Sequence, residues 1–102
     1  MRLHLPLDIQ SQLGIFRRML PSASQIRAGR GLLGWSRTEL ASRASVSSKT
    51  LQLIEDEAVN PRASTLEALG RALAKGGVLF LTHSKSGGEG VRLALSKDSD
   101  LE

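Results

Sequence analysis

The sequence contains no cysteine, which excludes disulfide cross-links, zinc–thiolate sites and thiol nucleophiles at once. Trp35, Phe16 and Phe80 are the only aromatic residues, so the core must be built from Leu, Ile, Val and Ala. No apolar run approaches the ~18 residues of a membrane-spanning helix. The first twenty residues lack an unbroken hydrophobic stretch and a small-residue cleavage site, so a secretory leader is not expected and a cytoplasmic location is the default. Histidine is scarce as well. His4 and His83 lie far apart, too few partners for a metal site or a Ser/His/Asp triad, and no enzyme activity and no cofactor are expected.

What remains is a chain of 102 residues, the length of one domain, with a net charge of +4. The charge is unevenly placed. Residues 23–50 carry Arg27, Arg30, Arg37, Arg43 and Lys49 against Glu39 alone, whereas residues 76–102 are slightly acidic. A basic excess confined to one stretch fits a surface that faces a polyanion, and an ordinary solvated helical surface is the plainer alternative.

Apolar periodicity divides the chain into a series of short helices. Ile9, Leu13, Phe16 and Leu20 mark one face of an amphipathic helix over Asp8–Leu20, ended by Pro21. Ser22-Ala-Ser-Gln25 is a capping box opening a helix to about Leu33, with Ile26, Leu32 and Leu33 inward and Arg27 and Arg30 outward; Gly34 stops it. Ser36-Arg-Thr-Glu39 opens a second helix with Leu40, Ala41 and Ala44 on one face. Ser47 caps a third, in which Leu51 and Ile54 turn inward and Ser48, Lys49 and Gln52 outward. Asn60-Pro61 marks a loop. Ser64-Thr-Leu-Glu67 reads as another capping box, followed by the stripe Leu66, Leu69, Leu73.

After Gly76-Gly77 the period falls to two. Val78–Thr82 and Val91–Leu95, joined by a Gly/Ser-rich loop, predict a β-hairpin. Its Gly87-Gly88-Glu89-Gly90 lacks the lysine and hydroxyl of a phosphate-binding loop. The tail beyond Ser96 is polar. Three segments result: an extension over residues 1–21, a helical domain over 22–75, and a hairpin with its tail over 76–102.

The two short helices around Ser45-Val46 carry the functional expectation. That link is too short for an antiparallel helix pair, and Ala41 is small enough for the two axes to come close. The second helix then crosses the first and projects its N-terminal end, a shape that enters a major groove about 12 Å wide.

Gln25-Ile26-Arg27, Leu32-Leu33-Gly34-Trp35-Ser36, Glu39-Leu40-Ala41, Val46-Ser47, Ile54-Glu55, Asn60-Pro61 and Thr65-Leu66 resemble the Xre, or phage-repressor-type, helix-turn-helix family over about residues 22–75. Glu89-Gly90-Val91-Arg92-Leu93 is similar to the tail of a subgroup of small bacterial regulators. The resemblance implies a mainly α, five-helix, lambda-repressor-like domain, here with an extra N-terminal helix and a small C-terminal hairpin. It implies a dimeric DNA-binding transcription regulator, a repressor associated with the nucleoid.

By the same resemblance the base-contacting positions fall on Ser48, Lys49, Thr50, Gln52 and Leu53. The phosphate-contacting positions fall on Arg37 and Ser47, with Arg27, Arg43 and Arg62 as further candidates. The chemistry agrees: Lys49 can donate to guanine, Gln52 can form paired bonds to adenine, and Ser48 and Thr50 can reach bases or phosphate. Leu53 either packs on a thymine methyl or is buried.

Ser45 stands where the family has glycine, at a strain of about 1 kcal/mol if φ is positive. Bland roles are expected for Trp35, a plug at the core edge, for Glu39, a cap, and for Glu55-Asp56-Glu57, a solvated helix end. A homodimer would form through the C-terminal strands or the Ile9/Leu13/Phe16 stripe. The competing function is the antitoxin of a toxin–antitoxin pair, which binds its own promoter and captures a toxin protein through residues 1–20 or the tail.

Overall fold

Ser22 opens the first described helix as the sequence predicts. Its hydroxyl accepts from the Gln25 amide at 3.1 Å, and the Gln25 side chain accepts from the Ser22 amide at 3.0 Å, so both halves of the capping box are present. The structure is a computed structural model and describes residues 20–95. The helix expected over Asp8–Leu20, Leu20 apart, and the tail beyond Leu95 lie outside the described residues.

Within that range the protein is mainly helical, with a small antiparallel sheet. The elements are α1 (Ala23–Leu33), α2 (Arg37–Ala44), α3 (Ser48–Glu55), α4 (Ala63–Lys75), β1 (Val78–Leu81) and β2 (Gly90–Leu93). The domain over residues 22–75 thus holds four helices where five were expected. Asp56–Arg62, the one long connection, is occupied by turns and Pro61, which leaves no room for another helix. None of these helices is long and apolar enough to cross a membrane.

Ile26, Leu40, Ala41, Ala44, Leu51, Ile54, Leu69, Ala72, Leu73 and Val78 form one core, edged by Leu33, Trp35, Val46, Leu66, Phe80 and Val91. Leu66, expected in the core, is only partly buried. Leu32 is a clearer correction, being exposed. Six residues past Ile26, it lies about 240° around the helix, while Leu33 returns to within about 20° of Ile26.

Capping explains most helix boundaries. Gly34 ends α1 in the left-handed region at φ 70°, where a Cβ would be strained. Ser36 caps α2 through the Glu39 amide at 3.0 Å. The Glu39 carboxylate does not complete the box and binds Arg43 one turn on instead. The box expected at Ser64 is absent. Pro61 leads into an extended Arg62 (φ −71°, ψ 150°), and α4 starts directly after it. Ser64 falls inside the helix, and Glu67 pairs with Arg71 at 3.1 Å.

The hairpin pairs Val78 with Leu93, Leu79 with Arg92, Phe80 with Val91 and Leu81 with Gly90. It packs on α1 and α4 and is clamped at its loop end. Gln25 Nε2 donates to both the Leu81 and Gly90 carbonyls, at 3.1 and 3.0 Å, and the Ser22 hydroxyl donates to Glu89 at 2.6 Å. Gly76 joins α4 to the hairpin under the Trp35 ring. A Cβ there would lie 2.8 Å from both Leu33 Cδ1 and Trp35 Cη2, so a larger residue does not fit.

Candidate nucleic-acid interface

Three residues, Ser45-Val46-Ser47, separate α2 from α3. Ser45 takes the left-handed conformation (φ 57°, ψ 43°) that a glycine would adopt without strain, and its amide bonds back to α2. Ser47 then caps α3, accepting from the Thr50 amide at 3.0 Å and donating its hydroxyl proton to Thr50 Oγ1 at 2.8 Å. Because Thr50 Oγ1 accepts that proton, its own proton is free to be given outward.

The phase of α3 separates two faces. Leu51, Ile54 and Glu55 are buried, whereas Ser48, Lys49 and Gln52 are exposed and Thr50 and Leu53 half-buried. Ser48 and Gln52 are one turn apart and Lys49 lies beside them, so one surface offers a hydroxyl, an ammonium and a carboxamide. Leu53 is neither fully buried nor free, which leaves part of its side chain available for an apolar contact.

Sequence reasoning missed the element that fixes this face. Glu55 was expected at a solvated end, but it is 1% exposed. Arg30 grips it with Nε on Oε2 at 2.8 Å and Nη2 on Oε1 at 2.9 Å, and Arg37 Nε adds a bond to Oε1 at 2.9 Å. Arg30 Nη1 also donates to the Trp35 carbonyl at 3.1 Å. Arg30 therefore points inward, against expectation, because a buried carboxylate on α3 requires a cation. Burial alone would push the Glu55 carboxyl upward. The hydrogen bonds from Arg30 and Arg37, and their charges, outweigh it and hold the carboxyl below its usual range. The same bond to Glu55 raises Arg30 against the opposing effect of burial. A sequence signal existed: Glu55 is one turn on from the buried Leu51.

The remaining basic candidates fall into two groups. Arg27 Nη1 donates to the Glu55 carbonyl at the end of α3, approaches Glu57 at 3.6 Å, and its Nη2 donates to Ser24 at 3.1 Å. Arg43 binds Glu39 and lies over the Trp35 ring at 4.3 Å from its centre. Arg37, at the start of α2, is 43% exposed; with Nε committed to Glu55, its Nη2 lies 3.9 Å from Asp56. By contrast Lys49 and Arg62 are exposed and form no ion pair among the described residues.

The face can donate hydrogen bonds through Lys49, Gln52, Ser48 and Thr50, with little competing negative charge on its own helix before Glu55. Neither a comparison with protein-family models nor one with curated proteins returns a match for the chain.

Proposed function

We propose that the chain is a sequence-specific, double-stranded DNA-binding transcription regulator, a homodimeric repressor and not an enzyme, with α3 as its reading helix. One observation carries the reading. The Ser48–Lys49–Gln52 face stands exposed at the capped start of α3, while the opposite side of the helix is anchored by Leu51, Ile54 and Glu55. Donors and acceptors of this kind, on one rigid turn, suit the base edges of the major groove.

In this reading Lys49 gives protons to guanine, Gln52 brackets adenine and Ser48 reaches a base or phosphate. Thr50, its oxygen already occupied by Ser47, gives its proton to a phosphate oxygen or a base acceptor. Arg37 offers its Nη1, and an Nη2 only loosely paired with Asp56 at 3.9 Å, to phosphate beside the N-terminal amides of α2, with Ser47, Arg27, Arg43 and Arg62 around it. Two such heads, about 34 Å apart, would read a near-palindromic site.

Binding-site selection on random duplex with purified protein is the test, and a paired near-palindrome is the expected product. Absence of any enriched sequence at low ionic strength overturns the reading. On the selected site, Lys49→Ala should lower affinity by about 1–3 kcal/mol and relax preference at one position. Arg37→Ala should weaken all sequences alike and reduce the slope of log affinity against log salt by about one unit per half-site. An unchanged slope removes Arg37 from the phosphate contacts.

A further inference from the structure

The outer edge of the hairpin carries the second inference. Ala94 N donates to Gly77 O at 2.7 Å, which fixes the alternation of the ladder: 79/92 and 81/90 are the bonded pairs, while Val91 and Leu93 turn their amides and carbonyls away from β1. No other hydrogen bond to those groups exists among the described residues. The edge is short and carries Arg92, but it lacks the two blocks that break a ladder outright. It contains no proline, and its register with β1 runs without a bulge. Exposed apolar side chains sit there as well: Leu93 is 48% and Leu95 77% exposed. Leu93 lies opposite Val78 and beside the core, and Leu95 continues the same face two residues on.

We propose that β2 pairs antiparallel with β2 of a second copy, about a two-fold axis through Leu93, joining two hairpins into one four-stranded sheet. This rests on the homodimer reading above and names its surface. A second copy fits the edge because the edge is complementary to itself. With the axis at Leu93, Val91 falls opposite the partner's Leu95. The outward-facing amides and carbonyls of both strands then coincide, and Leu95 is laid against the partner's apolar face. Arg92 falls opposite the partner's Ala94. The neighbouring register, centred on Arg92, would set two arginines directly opposite one another, which is unfavourable, and would leave Leu95 uncovered. Only a few residues pair on each side, well below the roughly 800 Å² per partner of a standard interface. The association is therefore weak in free solution and is reinforced when both reading heads engage one duplex.

A weak dimer of this kind is best caught covalently, and a chain without cysteine makes the test clean. In the full-length protein without DNA, Leu93→Cys places the two Cα atoms about 5.5 Å apart, inside disulfide range. Arg92→Cys and Ala94→Cys place them at roughly 8 Å, outside it. Under mild oxidation at several hundred micromolar, Leu93→Cys should form covalent dimer at least about tenfold faster than either neighbour, and adding Leu95→Lys should slow it about tenfold. Equal rates at the three positions, no dimer from Leu93→Cys, or indifference to Leu95→Lys overturns the proposal. A palindromic site selected by a protein that fails this test would dismiss the β2 surface and leave the DNA reading intact. Selective cross-linking in a protein that ignores every duplex would do the reverse.

Discussion

Replacing Arg30 by methionine tests the charge cluster under α3, because it keeps an aliphatic stem and removes only the guanidinium. Two bonds to Glu55, at 2.8 and 2.9 Å, are lost, together with the 3.1 Å bond to the Trp35 carbonyl. Glu55 keeps one donor, Arg37 Nε, and stays buried. Breaking a fully buried pair costs about 3–5 kcal/mol, and the surviving Arg37 bond places this case near the lower end, at about 3 kcal/mol. For a domain of this size that lowers Tm by roughly 12–24 °C.

The pH dependence is the sharper reading of the same variant. In the parent, the Glu55 carboxyl is held below its ordinary value, so its contribution is complete above about pH 4.3 and is lost as the pH falls below that, through the depressed folded value. In the variant burial prevails and raises the carboxyl, so the folded state takes up a proton more readily than the unfolded chain and gains relative stability on acidification. The gap between the two proteins should therefore narrow from pH 7.5 to pH 4.5 when thermal unfolding is followed by circular dichroism. A gap of the same size at both pH values, or a loss under about 0.5 kcal/mol at neutral pH, would refute the account of Glu55 as a buried, ionised hub.

Two further outcomes are expected. Ser45→Gly relieves the left-handed strain at φ 57° and should stabilise the fold by about 0.5–1 kcal/mol, read as a rise in Tm with site preference unchanged. Gly76→Ala forces a methyl against Leu33 and Trp35 and should cost about 1–3 kcal/mol, with a shift in the emission of the single tryptophan as the measure of displacement.

What the sequence revealed was local. Ser22, Ser36 and Ser47 each precede an apolar period, and each accepts the amide three residues on, because a cap depends on neighbours within one turn. The exposed face of α3 was legible for the same reason, since Leu51 and Ile54 fix the phase and Ser48, Lys49 and Gln52 follow from it. The failures lie where a distant partner decides. Glu55 looks like the first of three solvated acids until Arg30 and Arg37, 25 and 18 residues upstream, fold onto it. Gln25 reads as half of a capping box, and nothing local reports that its amide nitrogen also holds the hairpin carbonyls more than fifty residues away. The basic excess of residues 23–50 misled in a similar way. Arg27, Arg30, Arg37 and Arg43 are cations in the sequence, but carboxylates from elsewhere in the fold or one turn away take up much of their charge.

That neutralisation bears on how the proposed interface would work. A buried ionic cluster is an inefficient source of stability, since apolar side chains of similar volume serve as well or better. Its distinctive property is direction. Leu51 and Ile54 hold α3 to the core through non-directional apolar contacts, whereas the forked bonds from Arg30 and the third from Arg37 add directional bonds at the last turn of α3. Ser48 and Lys49 sit about two turns before Glu55, and Gln52 about one, on an eight-residue helix, so an orientation fixed at one end is transmitted rigidly to the other. Hydrogen bonding to base edges depends on placement within about 0.5 Å. Fixing α3 in this way occupies two arginines that could otherwise attract phosphate, which leaves Lys49 and Arg62, of the candidate contacts, as the exposed cations without an ionic partner among the described residues. Under the DNA-binding reading, a larger share of the affinity then comes from the shape and hydrogen bonds of the reading face and a smaller share from counterion release.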